Sequence, residues 1–536
     1  MKGDLESPDL LDAREAELAR CELRFGRQLW QAVRGGVLPD YAASEDECGR
    51  LLGDDSDLVR LEALYRREGA EAALRRRAAL WLSTAAWHQT RRRANFGALF
   101  AQLTAALLMY RGRVGHELLD LDGLRRSLLA NDDRHQREQA YLGLVALAGE
   151  TGELVADMRS GLVTAWATEA GVGAEPGFWK HPLSAFALEW PGLDLIELAG
   201  GYLDRTEHLL DRFGHLAREL LKVSRLQAWD VAFGLRALAA RYDRFFAGAH
   251  QSSALSASLH SAGLRTDNVP LAVAAQPAWL PMGLMGWPGR DWLAVGMGTG
   301  AGHLGGQLPD RRDLSVGIAV GGPQGPQSFG QDLARATGAA FAMWYGRAGH
   351  LARRRRAGGL DPAGALLGAL MVEPEHLSRH TELPAGEVST YLAQGCPRSG
   401  LLRAIELRFL AAHAATAWTL FAEPDQDAAS VAGCWLSRAA GTPIDGRLLP
   451  LDLASLIDPA HWPLLLVTEI AAGQLAAHLL AEHGKLVGDR RTAECLVECF
   501  WRHGRLVPAQ QALELATGSA LDLGAEVAAI SSHAGV

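Results

Sequence analysis

Ser328–Phe341 reads SFGQDLARATGAAF, and the change of pattern across it decides what kind of fold the chain has. Upstream, from about 249 to 328, glycine and proline are dense. Three short apolar runs stand there, Val269–Ala274, Trp292–Met297 and Leu314–Val320, separated by turn residues. Runs that short between strong breakers predict a small sheet or hairpin set. Downstream, helical spacing of apolar residues resumes at Gln331 and predicts helices over 331–357, 362–380, 384–394, 398–421, 425–438, 451–457, 461–483, 488–502 and 507–516.

Before the glycine-rich stretch the chain also reads as helical. Leu10, Leu11, Leu18, Cys21, Leu23, Phe25, Leu29 and Trp30 recur at helical spacing until Gly35-Gly36 stops them. Further helices are predicted at 57–66, 69–90, 95–111, 121–129, 134–148, 151–170, 193–200, 204–221 and 228–247, with Asn131-Asp132-Asp133 as the cap of the Arg134 helix. The expected fold class is therefore mainly α with one small β element at about 265–320. The expected division is an N-terminal helical lobe, 1–248, and a second lobe, 249–536, that holds the β element, a helix at 328–345 and a helical part at 362–520.

Bulk composition agrees with a globular chain: 48% of the 536 residues are hydrophobic and 21% charged. A net charge of -9 argues against general affinity for nucleic acid or an anionic membrane. Six cysteines without a C-x-x-C pair suit reduced thiols. Met1–Glu17 lacks the apolar core of a secretory signal, and no uninterrupted apolar run reaches the ~20 residues of a membrane span. The expectation is a cytoplasmic protein.

The order of long helices, β insertion, one helix directly after it and a helical remainder resembles the thimet oligopeptidase and oligoendopeptidase F superfamily of gluzincin metallopeptidases. Arg134–Ala140, the Trp229-Asp230 pair, Glu469–Leu480 and Gly504–Pro508 look like landmarks of that superfamily. The resemblance places SFGQDLARATGAAF on the family's L-F-H-E-x-G-H-A helix, with Gln331 at the first histidine, Asp332 at the glutamate and Arg335 at the second histidine. An H-E-x-x-H helix works because two imidazoles one turn apart bind zinc while the glutamate activates the metal's water. Glutamine is a poor zinc ligand and arginine is a permanent cation, so QDLAR is a degenerate version of the motif. The resemblance puts the third ligand at Glu373, 41 residues beyond Asp332. A tyrosine-rich helix of the family falls on Trp462–Glu469, where the tyrosines are absent.

What the resemblance implies is a two-lobed helical shell around a deep channel; with the ligand positions replaced, no zinc and no other cofactor is expected. It implies a pseudopeptidase that binds a peptide, a peptide-like molecule or a protein partner. Candidate channel residues are Gln331, Arg335, Glu375, His376 and His380. Two further readings stay open. A repurposed metal-independent enzyme would use Asp332, Glu373 and His461 as acid or base. An atypical zinc hydrolase would instead use His376-Leu377-Ser378-Arg379-His380, two imidazoles four residues apart with Glu373 or Glu375 nearby.

Other patterns carry less chemistry. Cys495, Cys499 and His503 recur every four residues and read as thiols packed on a core helix. His116-Glu117-Leu118-Leu119-Asp120 reads as an ordinary helix start, although H-E-x-x-D is a possible ligand string. Gly300–Gly305 satisfies G-x-G-x-x-G, but Gly306 and Pro309 deny it the following helix that would cradle a phosphate. Arg91–Arg93 and Arg353–Arg356 read as solvated helix ends.

Overall fold

A computed structural model describes residues 8–35, 41–53, 55–170, 183–246, 251–264, 271–275, 292–298, 314–320, 326–346, 361–381 and 383–535. The first half of the chain runs through α1 (Pro8–Gly35), α2 (Tyr41–Leu52), α3 (Asp55–Arg66), α4 (Ala72–Arg93) and α5 (Phe96–Met109), then the hairpin β1 (Gly112–Val114) and β2 (Glu117–Leu119). It continues as α6 (Leu121–Ala130), α7 (Arg134–Ala170), α8 (Ser184–Glu189), α9 (Leu195–Arg205), α10 (Glu207–Leu221), α11 (Ala228–Ala240) and α12 (Gln251–Ser261). Strands β3 (Leu271–Ala275), β4 (Trp292–Gly298) and β5 (Leu314–Val320) follow, and then α13 (Pro326–Tyr345). The remainder is α14 (Pro362–Leu370), α15 (Pro374–His380), α16 (Ala385–Thr390), α17 (Cys396–Ala422), α18 (Ala428–Ala440), α19 (Leu453–Ile457), α20 (His461–His483), α21 (Arg490–Cys495), α22 (Ala509–Thr517) and α23 (Leu523–Ala534).

The mainly helical fold with a small β element is what the pattern reading expects. β5 is central in its three-stranded sheet, parallel to β3 and antiparallel to β4, and the sheet lies against α1 and α13. All three strands coincide closely with the predicted apolar runs. Aspartate caps set many of the helix starts. Asp120, Asp194, Asp361, Asp427, Asp489 and Asp522 each accept a backbone N–H of the first turn. The predicted cap before α7 forms as well, with Asp133 Oδ1 accepting from His135 N at 2.8 Å.

Several boundaries differ from the sequence reading, each for a physical reason. The helices expected at 134–148 and 151–170 are one helix, α7, because Gly149 and Gly152 keep helical backbone and no cap interrupts them. The helix expected over 362–380 is two: Pro374 cannot donate, and Glu373 before it is extended at φ -68°, ψ 135°. His116 does not start a helix but sits in the β1–β2 turn, made by Gly115 at φ +59°. H-E-x-x-D therefore has no helix to align its side chains. The β region begins later than 249, since α12 buries Ala254, Leu255, Ser258 and Leu259 along one helical stripe. α2 and α23 were not expected from periodicity. Gly300–Gly305 and Arg353–Arg356 lie outside the described residues.

α17 and α20 form the middle of the second half. Of α20, Trp462 to Ala472 is buried without a break, and two thirds of its apolar window lies inside the protein. Among the described residues it is the one helix long and apolar enough to cross a membrane. Glu469 at its centre is fully buried and ion-paired, so in this fold it serves as a core helix.

Candidate functional site

α13 presents Asp332 and Arg335 to the interior, where they are 6% and 4% exposed. Space for the Arg335 side chain comes from α14. A Cβ at Gly368 would stand 2.7 Å from Arg335 Cγ, 2.8 Å from Nε and 2.9 Å from Cζ. A Cβ at Gly338 would overlap the Cα of Gly364, so the two helices meet backbone to backbone. The helix that faces the QDLAR turn thus offers glycines there.

Arg335 Nη1 donates to Asp332 Oδ1 at 3.2 Å, and its Nε lies 3.6 Å from Glu469 Oε1 on α20. The other oxygen of Glu469 accepts from Arg403 Nη1 of α17 at 3.1 Å. Arg403 Nη2 donates to Glu526 Oε1 of α23 at 2.9 Å. Four helices therefore deliver a chain of alternating charge, Asp332, Arg335, Glu469, Arg403, Glu526, in which three carboxylates face two guanidiniums. Burial alone would lower the Arg403 pKa, but Glu526 and Glu469 outweigh it and raise it. Burial lifts the Glu526 carboxyl, against the pull of Arg403.

Zinc, which the resemblance implies for this position, does not fit these residues. A metal needs lone pairs converging on one point, whereas a guanidinium has only donors and a fixed positive charge. Arg335 lies between Asp332 and Glu469 and ion-pairs with both.

Glu373 stands before α15 and meets His533 Nε2 of α23 at 3.9 Å. Burial raises its pKa, partly offset by His533 and Arg403, which sets it at the far margin of the same charged cluster. Gln331 is half-buried next to Asp332. Glu375 pairs with Arg379 at 2.7 Å. His376 is 1% exposed, and its ring centre lies 5.6 Å from that of half-buried His380. His461 begins α20, edge-on to Trp462 with ring centres 5.0 Å apart. Cys495 and Cys499 share a hydrogen bond that holds Cys499 down to about 7 and pushes Cys495 up. Arg403, Glu526 and His533 were not found from sequence. The available signal was a charge interrupting an apolar helix, as Arg403 does in Leu401–Ile405.

A shallow groove of about 510 Å³ runs along the outer face of α12, lined by Ser252, Ser253, Ser256, Ala257 and His260. α12 packs on both α13 and α15.

Burial and the neighbouring His380 lower the His376 pKa from 6.5 to about 4. Between those values the unfolded chain binds a proton that the folded chain excludes, so folding is strongest above pH 6.5 and weakens as pH falls towards 4. The loss attributable to this residue is expected to be roughly 2–3 kcal/mol at about pH 4.5. Urea unfolding at pH 7 and 4.5 checks it: the wild-type loss should exceed that of His376→Phe by this amount, and equal losses would refute it.

By sequence the chain matches no protein-family model and no curated protein. Solved structures do match in three dimensions. PZ peptidase A, determined with an inhibitor, aligns over 96% of this chain and 90% of its own, with a TM-score of 0.60 and 12% identity. A Bacillus anthracis protein described as an oligoendopeptidase F covers 92% and 85%, at 0.55 and 12%. The carboxypeptidase of Pyrococcus furiosus covers 99% of both chains, at 0.55 and 12%. Identities this low speak for backbone architecture, and at that level the chain has the fold of the oligoendopeptidase F and carboxypeptidase metallopeptidases.

Proposed function

We propose that this protein is a pseudopeptidase: it keeps a metallopeptidase fold, lacks zinc chemistry on α13, and binds a peptide or peptide-like ligand without metal-dependent hydrolysis. The observation that carries the reading is the Arg335 guanidinium set between the buried carboxylates of Asp332 and Glu469. A cation fixed to the chain supplies the positive charge that the fold's interior accommodates, but it cannot polarise a carbonyl by coordination or lower the pKa of a bound water as a metal does. Gln331, Arg335, Glu375, His376 and His380 are the residues proposed to border the ligand. On the outer face of α12, the serine- and histidine-lined groove offers hydroxyl and imidazole partners to a peptide backbone. The thiols of Cys396, Cys434, Cys495 and Cys499, none of them in a disulfide, suit a reducing, cytoplasmic setting.

The raised pKa of Glu373 favours one second reading, a metal-independent enzyme in which this carboxyl acts as a general acid with Asp332 and His461 as further acid–base groups. Mixtures of quenched-fluorescence peptides separate the possibilities. The pseudopeptidase reading expects saturable binding with no cleavage, whether or not 1,10-phenanthroline is present. Turnover that phenanthroline abolishes would overturn it, and turnover that survives the chelator but is lost in Glu373→Gln would establish the second reading.

A further inference from the structure

We propose that His376 and His380 form a site for a divalent transition-metal ion of the zinc, nickel or copper class, separate from the Arg335 cluster, with water filling the remaining positions. The two rings stand on successive turns of α15, their centres 5.6 Å apart and their planes inclined at 43°. An ion bound through ring nitrogens at about 2.0–2.1 Å holds two imidazole centres roughly 5–6 Å apart. His376 Nδ1 and His380 Nε2 are both buried atoms without a hydrogen-bond partner. Buried polar atoms are nearly always satisfied, so two orphaned nitrogens of the commonest metal-ligating side chain, one turn apart, need an explanation. A shared ion satisfies both.

The surroundings suit the chemistry. Arg379, between the two histidines in sequence, has its charge engaged by Glu375 at 2.7 Å. Burial keeps both imidazoles below their ordinary pKa, hence neutral and able to donate a lone pair. His376 is sealed in while His380 retains contact with solvent, which gives the ion a way in from the His380 side. Imidazole donors select zinc, nickel and copper over magnesium and calcium, which prefer oxygen.

The test uses the full chain without a histidine tag, stripped with a chelator and dialysed, then titrated calorimetrically with Zn(II) and Ni(II). The expected result is one ion bound per chain at micromolar free metal. His380→Ala should weaken binding by at least about tenfold, as the loss of one of two protein ligands requires. His376→Phe, which keeps the ring and its packing, should do the same, while His215→Ala on the surface of α10 should leave binding unchanged. If His376→Phe does not fold, His380→Ala decides the question alone, supported by the Co(II) d–d spectrum of the wild type. Absence of saturation below roughly 100 µM metal, or binding that His380→Ala leaves intact, would overturn the proposal.

Discussion

Arg335→Ala is expected to destabilise the protein by about 3–5 kcal/mol, because removing one partner of a buried ion pair strands the other in a medium that cannot solvate it. Here two buried carboxylates lose a counter-charge: Asp332, 6% exposed, and Glu469, fully buried. Glu469 keeps Arg403 at 3.1 Å, which limits its share of the penalty. The same pairing carries a pH signature. Carboxylates left without a cation ionise less readily, so the gap between wild type and variant should narrow as pH falls and protons replace the missing charge. Asp332→Asn placed on top of Arg335→Ala should recover part of the loss at neutral pH. Urea unfolding of the two variants and the wild type at pH 7 and 5 measures all of this. A loss under ~1 kcal/mol, typical of a solvent-screened pair, would mean that the cluster is not the buried network described above.

The second large effect concerns the contact that brings α13 and α14 together. Gly338→Ala is expected to cost about 1–3 kcal/mol, the usual range for overpacking. In an exposed helix the same change would stabilise by up to ~1 kcal/mol. The sign reverses because the new methyl group would overlap the backbone of Gly364, which has no rotamer by which to yield. Forcing the helices apart also loosens the packing of Arg335 against Gly368. Gly149→Ala on α7 provides the control: it is exposed, with nothing within 4 Å of its added carbon, and should raise stability. Chemical denaturation of both variants checks the pair, and the same sign at both sites would refute the close-packing account.

Much of the architecture was readable in the order of residues, for a reason particular to this chain. Its helices carry broad apolar stripes and aspartate caps, and its strands are short runs fenced by glycine and proline, so local pattern and final structure agree. The boundary of α20 at His461–His483 follows from the apolar run and Gly484 at φ +73° alone. Where the reading failed, the deciding interaction was not local. Gly149 and Gly152 look like breakers, yet α7 continues through them because one face is buried on both sides of them, from Ala140 to Trp166. Gly115 looks like a helix boundary but turns a hairpin.

The candidate site divides in the same way. Sequence sufficed to show that QDLAR holds no imidazole, because ligand chemistry belongs to the residue type and needs no coordinates. It could not say what Arg335 would do instead. Its partner Glu469 lies on α20, and Arg403 and Glu526 lie on α17 and α23, brought together only when the helices pack. Glu373 meets His533 on the last helix, a contact no spacing along the chain announces. A charge buried among apolar helices must find its counter-charge through space, and pairing through space is what a linear pattern does not encode.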